Sequence, residues 1–234
     1  MAAAKQTAPA WQRRLYIPCY KAGEAARYAR TPVQTVGRWH SRVNRPVLSD
    51  REPRSDLNYL QLIEFSVVAA MRDAGIKLAE VAATREFFQK QHQVEYPFAE
   101  LRFKTDGKEL ICDLDQIIGD GGRDKLIHPG KSGQLSWNEI IGRRLKEFEF
   151  DDGGLVTKWY VNGLRSSIVL DPRVSFGAPH VNGAAVWAIA DRYRAGESVP
   201  DIANDLDVTE AGVIEALKFE GIAPDLRRKN LCLN

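Results

Sequence analysis

Two helix-turn-helix patterns lie near opposite ends of this 234-residue chain, and they carry opposite charge. The first runs from Lys21 to Trp39, the second from Ser198 to Leu217. Each is two short helical patterns joined by a tight turn. Such a pair buries its apolar positions only by packing against further structure, so each end of the chain must form a small helical domain. From Arg13 to Arg54 there are ten Lys/Arg against three Asp/Glu, a net of +7. From Gly196 to Glu220 there are seven Asp/Glu against one Lys, a net of −6. Affinity for DNA rests largely on cationic contacts to phosphate. The basic end therefore suits a DNA reader, and the acidic end needs another role.

The overall formal charge of +2 conceals this division. With 44% apolar and 27% charged residues the chain is ordinary for a globular protein, and its length allows two or three small domains. Cys19, Cys112 and Cys232 are odd in number and lack metal-ligand spacing. The expectation is a reducing, cytoplasmic environment without a disulfide framework. His40, His92, His128 and His180 complete no metal site and have no evident Ser or Cys partner. No nucleophile-elbow glycine pattern is present. Neither an enzyme nor a cofactor is expected. The N-terminus lacks the apolar core of a signal peptide. No apolar run approaches the roughly 20 residues that span a bilayer, so no membrane partner is expected.

The fold class expected is α+β, in five segments. Residues 1–14 read as a flexible arm containing Lys5, Arg13 and Arg14. Residues 15–94 read as a helical DNA-binding domain. In its first helix Ala22, Ala25, Ala26 and Ala29 share one face. Thr31-Pro32 supplies an N-cap and a first-turn proline for the next helix, which runs to about Arg42. Val33, Val36 and Trp39 are expected to face inward. A basic, proline-containing loop, 43–56, precedes a helix capped by Ser55 or Asp56, with Leu60, Ile63, Val67, Ala70 and Ala74 as its buried stripe and Gly75 as its stop. Residues 76–91 read as another helix.

Residues 95–168 read as a mixed β segment. Leu101, Phe103 and Thr105 alternate before an Asp106-Gly107 turn, and Leu110, Cys112 and Leu114 alternate after it. A glycine-rich loop at 119–133 and a helix around Trp137–Lys146 follow. A second hairpin turns at 151–154, and a short strand at 166–170 stops at Asp171-Pro172. Residues 169–224 read as three helices. Val186, Ile189, Ala190 and Tyr193 line the first, and Gly196 ends it. Val199, Ile202, Ala203 and Leu206 line the second. Thr209 caps the third, which buries Val213, Ile214 and Leu217. Residues 225–234 form a basic tail.

Candidate DNA contacts follow from the second helix of the basic motif. A recognition helix lays its outward residues in the major groove while flanking cations hold phosphates. Gln34, Thr35 and Arg38 are the base-facing candidates, with Arg38 suited to a guanine edge. Arg42 joins them on the outward face, and Lys21 and Arg45 lie in the flanking basic segments. The loop 43–54 reads either as a wing over backbone and minor groove or as an ordinary exposed loop. The acidic motif reads as a dimerising or partner-binding module, or as a solvated acidic surface over a trihelical core. Arg227, Arg228 and Lys229 read either as a solubilising tail or as a cationic segment that enters an acidic partner site.

Residues 16–90 resemble the MerR-type winged-helix domain. Tyr20 to Ala26 is similar to that family's opening helix, Thr35 to His40 to its recognition helix, and Tyr59-Leu60 through Gly75 to Val81 to its later helix pair. The loop before Leu57 departs from a compact wing. Residues 169–220 resemble a short, antitoxin-associated domain of formerly unknown function, in Val169-Leu170-Asp171-Pro172-Arg173 through Pro179, Arg194 to Val199, and Val208 to Leu217. Gly183-Ala184-Ala185 stands where that domain has Gly-Thr-Arg. The two in this order resemble a VapB-type antitoxin. That resemblance implies a PIN-like ribonuclease toxin as partner, a homodimer on operator DNA, and repression of the protein's own operon. Arg227, Arg228 and Lys229 would meet the toxin's clustered carboxylates. A MerR-like regulator without a toxin, sensing an effector in the central β segment, is the competing reading.

Overall fold

The structure is a computed structural model. It describes residues 10–41, 46–52, 54–100, 137–152 and 154–225. The first hairpin (101–114), the glycine-rich loop, Arg42, Arg45, Arg227, Arg228 and Lys229 lie outside the described residues. The chain is α+β and divides into two compact units, Met1–Thr157 and Lys158–Asn234.

The first unit begins with α1 (Ala10–Arg14), within the segment read as an arm. Leu15 behind it is buried, and its carbonyl accepts from the amide of Tyr59. Helix α2 (Ala22–Tyr28) buries Ala25, Ala26 and Tyr28, with Ala29 directly after, as the small-residue face requires. Arg30 turns the chain at φ +55°, and α3 (Val33–His40) follows. Thr31 does not cap α3. Pro32 occupies the N-cap position, and the Thr31 hydroxyl donates back to Ala29 O at 3.2 Å.

Helix α4 (Tyr59–Asp73) is the centre of the unit. Every residue from Tyr59 to Met71 is buried, so the stripe read from the sequence was too narrow. Helices α2, α5 (Leu78–His92) and α6 (Trp137–Lys146) pack around it, and Trp39 of α3 lies 5.2 Å from Phe65, centroid to centroid. Its cap is Asn58 rather than Ser55 or Asp56. The Asn58 side chain accepts from Gln61 N at 2.8 Å, while Gln61 Oε1 accepts from Asn58 N at 3.0 Å, a reciprocal capping box. Gly75, at φ +89°, ends the helix as expected.

No strand is described between α3 and α4. Leu57 instead pairs with Tyr20 in a single bridge. Val47, Leu48 and Ser49 of the intervening loop are buried, so this part is not an ordinary exposed loop. Strand β1 (Phe148–Phe150) follows α6, and Asp151 closes the next turn by accepting from Leu155 N at 2.9 Å. Strand β2 (Val156–Tyr160) begins in the first unit.

In the second unit β2, β3 (Ile168–Leu170), β4 (His180–Val181) and β5 (Ala184–Ala185) pair antiparallel in chain order. Trp159 faces Leu170, Ile168 faces Val181, and Val181 faces Ala184. Helices α7 (Val186–Arg194), α8 (Val199–Asp205) and α9 (Glu210–Phe219) complete it. The core joins Ile168 and Val181 to Val186, Ile189, Ala190 and Tyr193 of α7, Ile202 of α8 and Leu217 of α9. These are the faces expected from the helical periodicity. Thr209 caps α9 by accepting from Gly212 N at 3.0 Å. Gly212 is required by packing. A Cβ there would lie 2.7 Å from Val181 Cγ1.

Candidate nucleic-acid interface

The candidate contacts of the first unit centre on α3. Val36 and Trp39 anchor it from beneath. Gln34 and Arg38 are exposed, on the outward side of α3 where the sequence placed them. Two positions differ from the sequence reading. Thr35 is only 7% exposed and faces inward, whereas Val33 is 46% exposed. The expected stripe Val33-Val36-Trp39 has a spacing of three. Two such steps rotate the position by about 120° on a helix of 3.6 residues per turn. Thr35 and Trp39, four apart, share the buried side instead. Thr35 is thus corrected from the outward to the inward side of α3. Its hydroxyl accepts from Arg38 Nη2 at 3.3 Å and braces the guanidinium above it. Lys21 is exposed at the start of α2, where its backbone N–H donates to Glu24 Oε2 at 2.7 Å.

Further polar groups lie in this unit without a strong sequence signal. His40, at the end of α3, donates through Nδ1 to Val36 O at 2.8 Å. Burial pushes its pKa down to about 4, and the charge of Arg51 adds to the effect. Among the described residues, its Nε2 has no hydrogen-bond partner, nor have Nε and Nη1 of Arg51. The imidazole is therefore neutral, and the cation beside it comes from the loop after α3.

Glu64 is completely buried in the middle of α4. Burial raises its carboxyl above the ordinary range, against the opposing pull of Arg85 and hydrogen bonds from Ser49. It accepts from Ser49 N at 3.0 Å and from the Ser49 hydroxyl, and Arg85 Nε lies 3.9 Å away. Gln61 Nε2 donates to Asp50 O at 2.7 Å. Two polar side chains of α4 thus hold residues 49 and 50 of the basic loop. The sequence signal was a lone carboxylate inside the apolar run Leu62-Ile63-Glu64-Phe65.

A cavity of about 550 Å³ opens beside α3. Arg38 and Thr35 line it from α3, Arg72 and Asp73 from the end of α4, and Leu78 from the start of α5.

The second unit uses much of its acidity internally. Arg192 bonds Glu197 at 2.8–2.9 Å through Nε and Asp205 at 2.6 Å, and these partners hold its pKa above the ordinary value. Glu215 accepts from the Ser166 hydroxyl at 2.6 Å and Ser167 N at 2.8 Å, fastening α9 to the approach to β3. Burial would raise the Asp171 carboxyl, but hydrogen bonds and charge from Arg173 hold it below the ordinary range. Phe176 and Trp187 are 78% and 59% exposed, and both Ser175 and Phe176 have positive φ. Asp225 N donates to the Tyr193 hydroxyl at 2.7 Å, which fixes the start of the basic tail against α7. Among the described residues, no helix is long and apolar enough to cross a membrane.

Comparison with known proteins agrees with this architecture. Residues 168–219 match the family described as "Protein of unknown function (DUF433)". Those limits enclose β3 to α9, the trihelical part of the second unit. The crystal structure of Rv2018 from Mycobacterium tuberculosis superposes with a TM-score of 0.68 at 26% identity, covering 86% of this chain and 98% of that one. The chain is also similar to the M. tuberculosis protein named "Putative antitoxin VapB45", 26% identical over 227 residues, covering 87% of this chain and 94% of the relative.

Proposed function

We propose that this protein is the antitoxin of a type II toxin–antitoxin system, which neutralises a PIN-like ribonuclease toxin and represses its own operon. The observation that carries this reading is the similarity to the protein named "Putative antitoxin VapB45" along 94% of that relative's length. It spans both units rather than one common domain.

The division of charge supports the assignment of tasks. The first unit reads DNA in a MerR-like manner. Arg38 reaches base edges from α3 with Gln34 beside it, and Lys21, Arg42 and Arg45 hold phosphates. Thr35 orients Arg38. The second unit faces protein. Its exposed Phe176 and Trp187 are large apolar groups of the kind that anchor interfaces. Arg227, Arg228 and Lys229 enter the toxin's carboxylate cluster as a cationic plug. A homodimer presents two recognition helices to paired half-sites. The protein acts in the cytoplasm.

Co-expression tests the first task. A neighbouring gene whose product arrests growth alone, and is silenced by this protein, is the expected result. Removing residues 225–234 should abolish the rescue; full rescue by the shortened chain would exclude the plug. Charge reversal of Arg38 and Arg42 tests the second task. Binding to the DNA upstream of the gene should be lost while the fold is kept. An unchanged affinity and salt slope would remove α3 from the interface.

The cavity beside α3 favours a second reading, an effector-responsive regulator without a toxin. Its effector site would then lie in the first unit, in place of the central β segment. A neighbour that is harmless when expressed alone would favour it.

A further inference from the structure

The cavity beside α3 has two kinds of wall. Arg38 and Arg72 supply two guanidinium groups, and neither has a carboxylate within ion-pair distance among the described residues. Arg38 donates one N–H to Thr35, and Arg72 donates one to Ile76 O. A guanidinium has five donors, so both retain unspent N–H groups. Among the described residues of the lining Asp73 is the one acid, against two arginines, an excess of one positive charge. Its carboxyl is raised by burial and pulled back by Arg144 and Arg72. The other wall is apolar, made by Trp39, Ala69 and Leu78. The volume lies within the roughly 300–1,000 Å³ of small-molecule sites.

From these features we propose that the cavity binds a small phosphate monoester with an apolar body. The Arg38 and Arg72 guanidinium groups receive the phosphate, since their planar donors match its oxygens in paired hydrogen bonds. Trp39, Ala69 and Leu78 receive the apolar part. The site has a regulatory consequence that rests on the DNA-binding reading. Arg38 cannot serve ligand and base edge at once, so the two exclude each other and the coupling is reciprocal. Phosphate has a second source, the backbone of DNA docked on α3, and the experiment separates the two.

The full chain is titrated calorimetrically, without DNA, with phenyl phosphate, inorganic phosphate and phenol. Phenyl phosphate is expected to bind about tenfold more tightly than inorganic phosphate, through the added apolar contact. Arg72→Ala should weaken it about tenfold or more, through loss of charge-assisted hydrogen bonds. Ala69→Leu narrows the cavity and keeps both arginines. It should reject phenyl phosphate while inorganic phosphate still binds. Circular dichroism melts check that each variant folds. No binding of any probe, or equal binding by wild type and a folded Arg72→Ala, overturns the site.

A second arm follows the upstream duplex by fluorescence anisotropy at fixed ionic strength. Phenyl phosphate should displace the duplex from wild type but not from Ala69→Leu. If no probe binds, yet Arg72→Ala lowers the salt slope by about 0.9, the phosphate belongs to DNA and the small-ligand site is rejected. If the duplex never binds while phenyl phosphate does, the DNA-binding reading fails and the site stands.

Discussion

His40 has a measurable consequence at the residue scale. Its native form is the neutral imidazole, with a pKa pushed from 6.5 down to about 4 by burial. The contribution is complete above the unfolded value of 6.5 and is lost as pH falls from there towards 4. A shift of this size corresponds to about 3 kcal/mol. Urea unfolding at pH 7 and pH 4 should show this loss in wild type. A folded His40→Asn variant should lack that increment, keeping only the part due to carboxylates and to His180, whose pKa burial also lowers. Equal pH dependence in the two proteins would refute the assignment. Gly212 supplies a second test. Its missing Cβ lets α9 approach Val181. Gly212→Ala gains helix propensity, worth about 1 kcal/mol in an exposed helix. Here the clash should win, with a net cost of about 1–3 kcal/mol. A higher urea midpoint in the variant would show that β4 yields easily.

Glu64 matters at the scale of elements, because it couples α4 to the loop after α3. Its carboxylate serves the Ser49 backbone and hydroxyl, with Arg85 close by. Glu64→Ala leaves these groups buried without their acceptor, so a loss of about 3–5 kcal/mol is expected. Ser49→Ala removes one hydroxyl and should cost only about 1 kcal/mol. Amide exchange at Ser49 distinguishes a local tie from a general packing defect. Exchange in a folded Glu64→Gln variant should accelerate at residue 49 well before α4 opens, and uniform acceleration would contradict the tie. The same scale explains the misread stripe of α4. Periodicity identifies an apolar face but does not report how many neighbours surround a helix. Helices α2, α3, α5 and α6 supply those neighbours, so Gln61, Glu64 and Ser66 are enclosed along with the aliphatic residues.

The charge partition belongs to the whole molecule. Arg38 and Gln34 are exposed in one unit, while several acids of the other are bonded within it. Replacing the exposed Asp207 and Glu210 by Asn and Gln should leave DNA affinity within about twofold, since neither carboxylate would lie at the DNA surface. Arg38→Glu should abolish binding in the same assay. A large rise in affinity on neutralising Asp207 and Glu210 would place the second unit against the phosphates. Retention of toxin capture by Arg38→Glu would show that the two tasks are separable.

The sequence by itself determined the helices of both motifs, the small-residue face of α2, the stops at Gly75 and Gly196, and the Thr209 cap. These depend on spacing, backbone freedom and local hydrogen bonds, all of which act over a few residues. It also determined the opposite charge of the two ends, because charge is additive along a chain. Only the tertiary structure decided that Thr35 lies beneath Arg38 and that Val33 faces outward. The phase of a short helix is set by what it packs against, here Phe65 of α4 beneath Trp39. Only the tertiary structure placed Glu64 against Ser49, and Arg72 in the same cavity as Arg38, since these pairs meet across 15 and 34 residues of chain. Such meetings depend on how helices pack, and packing is a property of surfaces brought together rather than of any local run of residues.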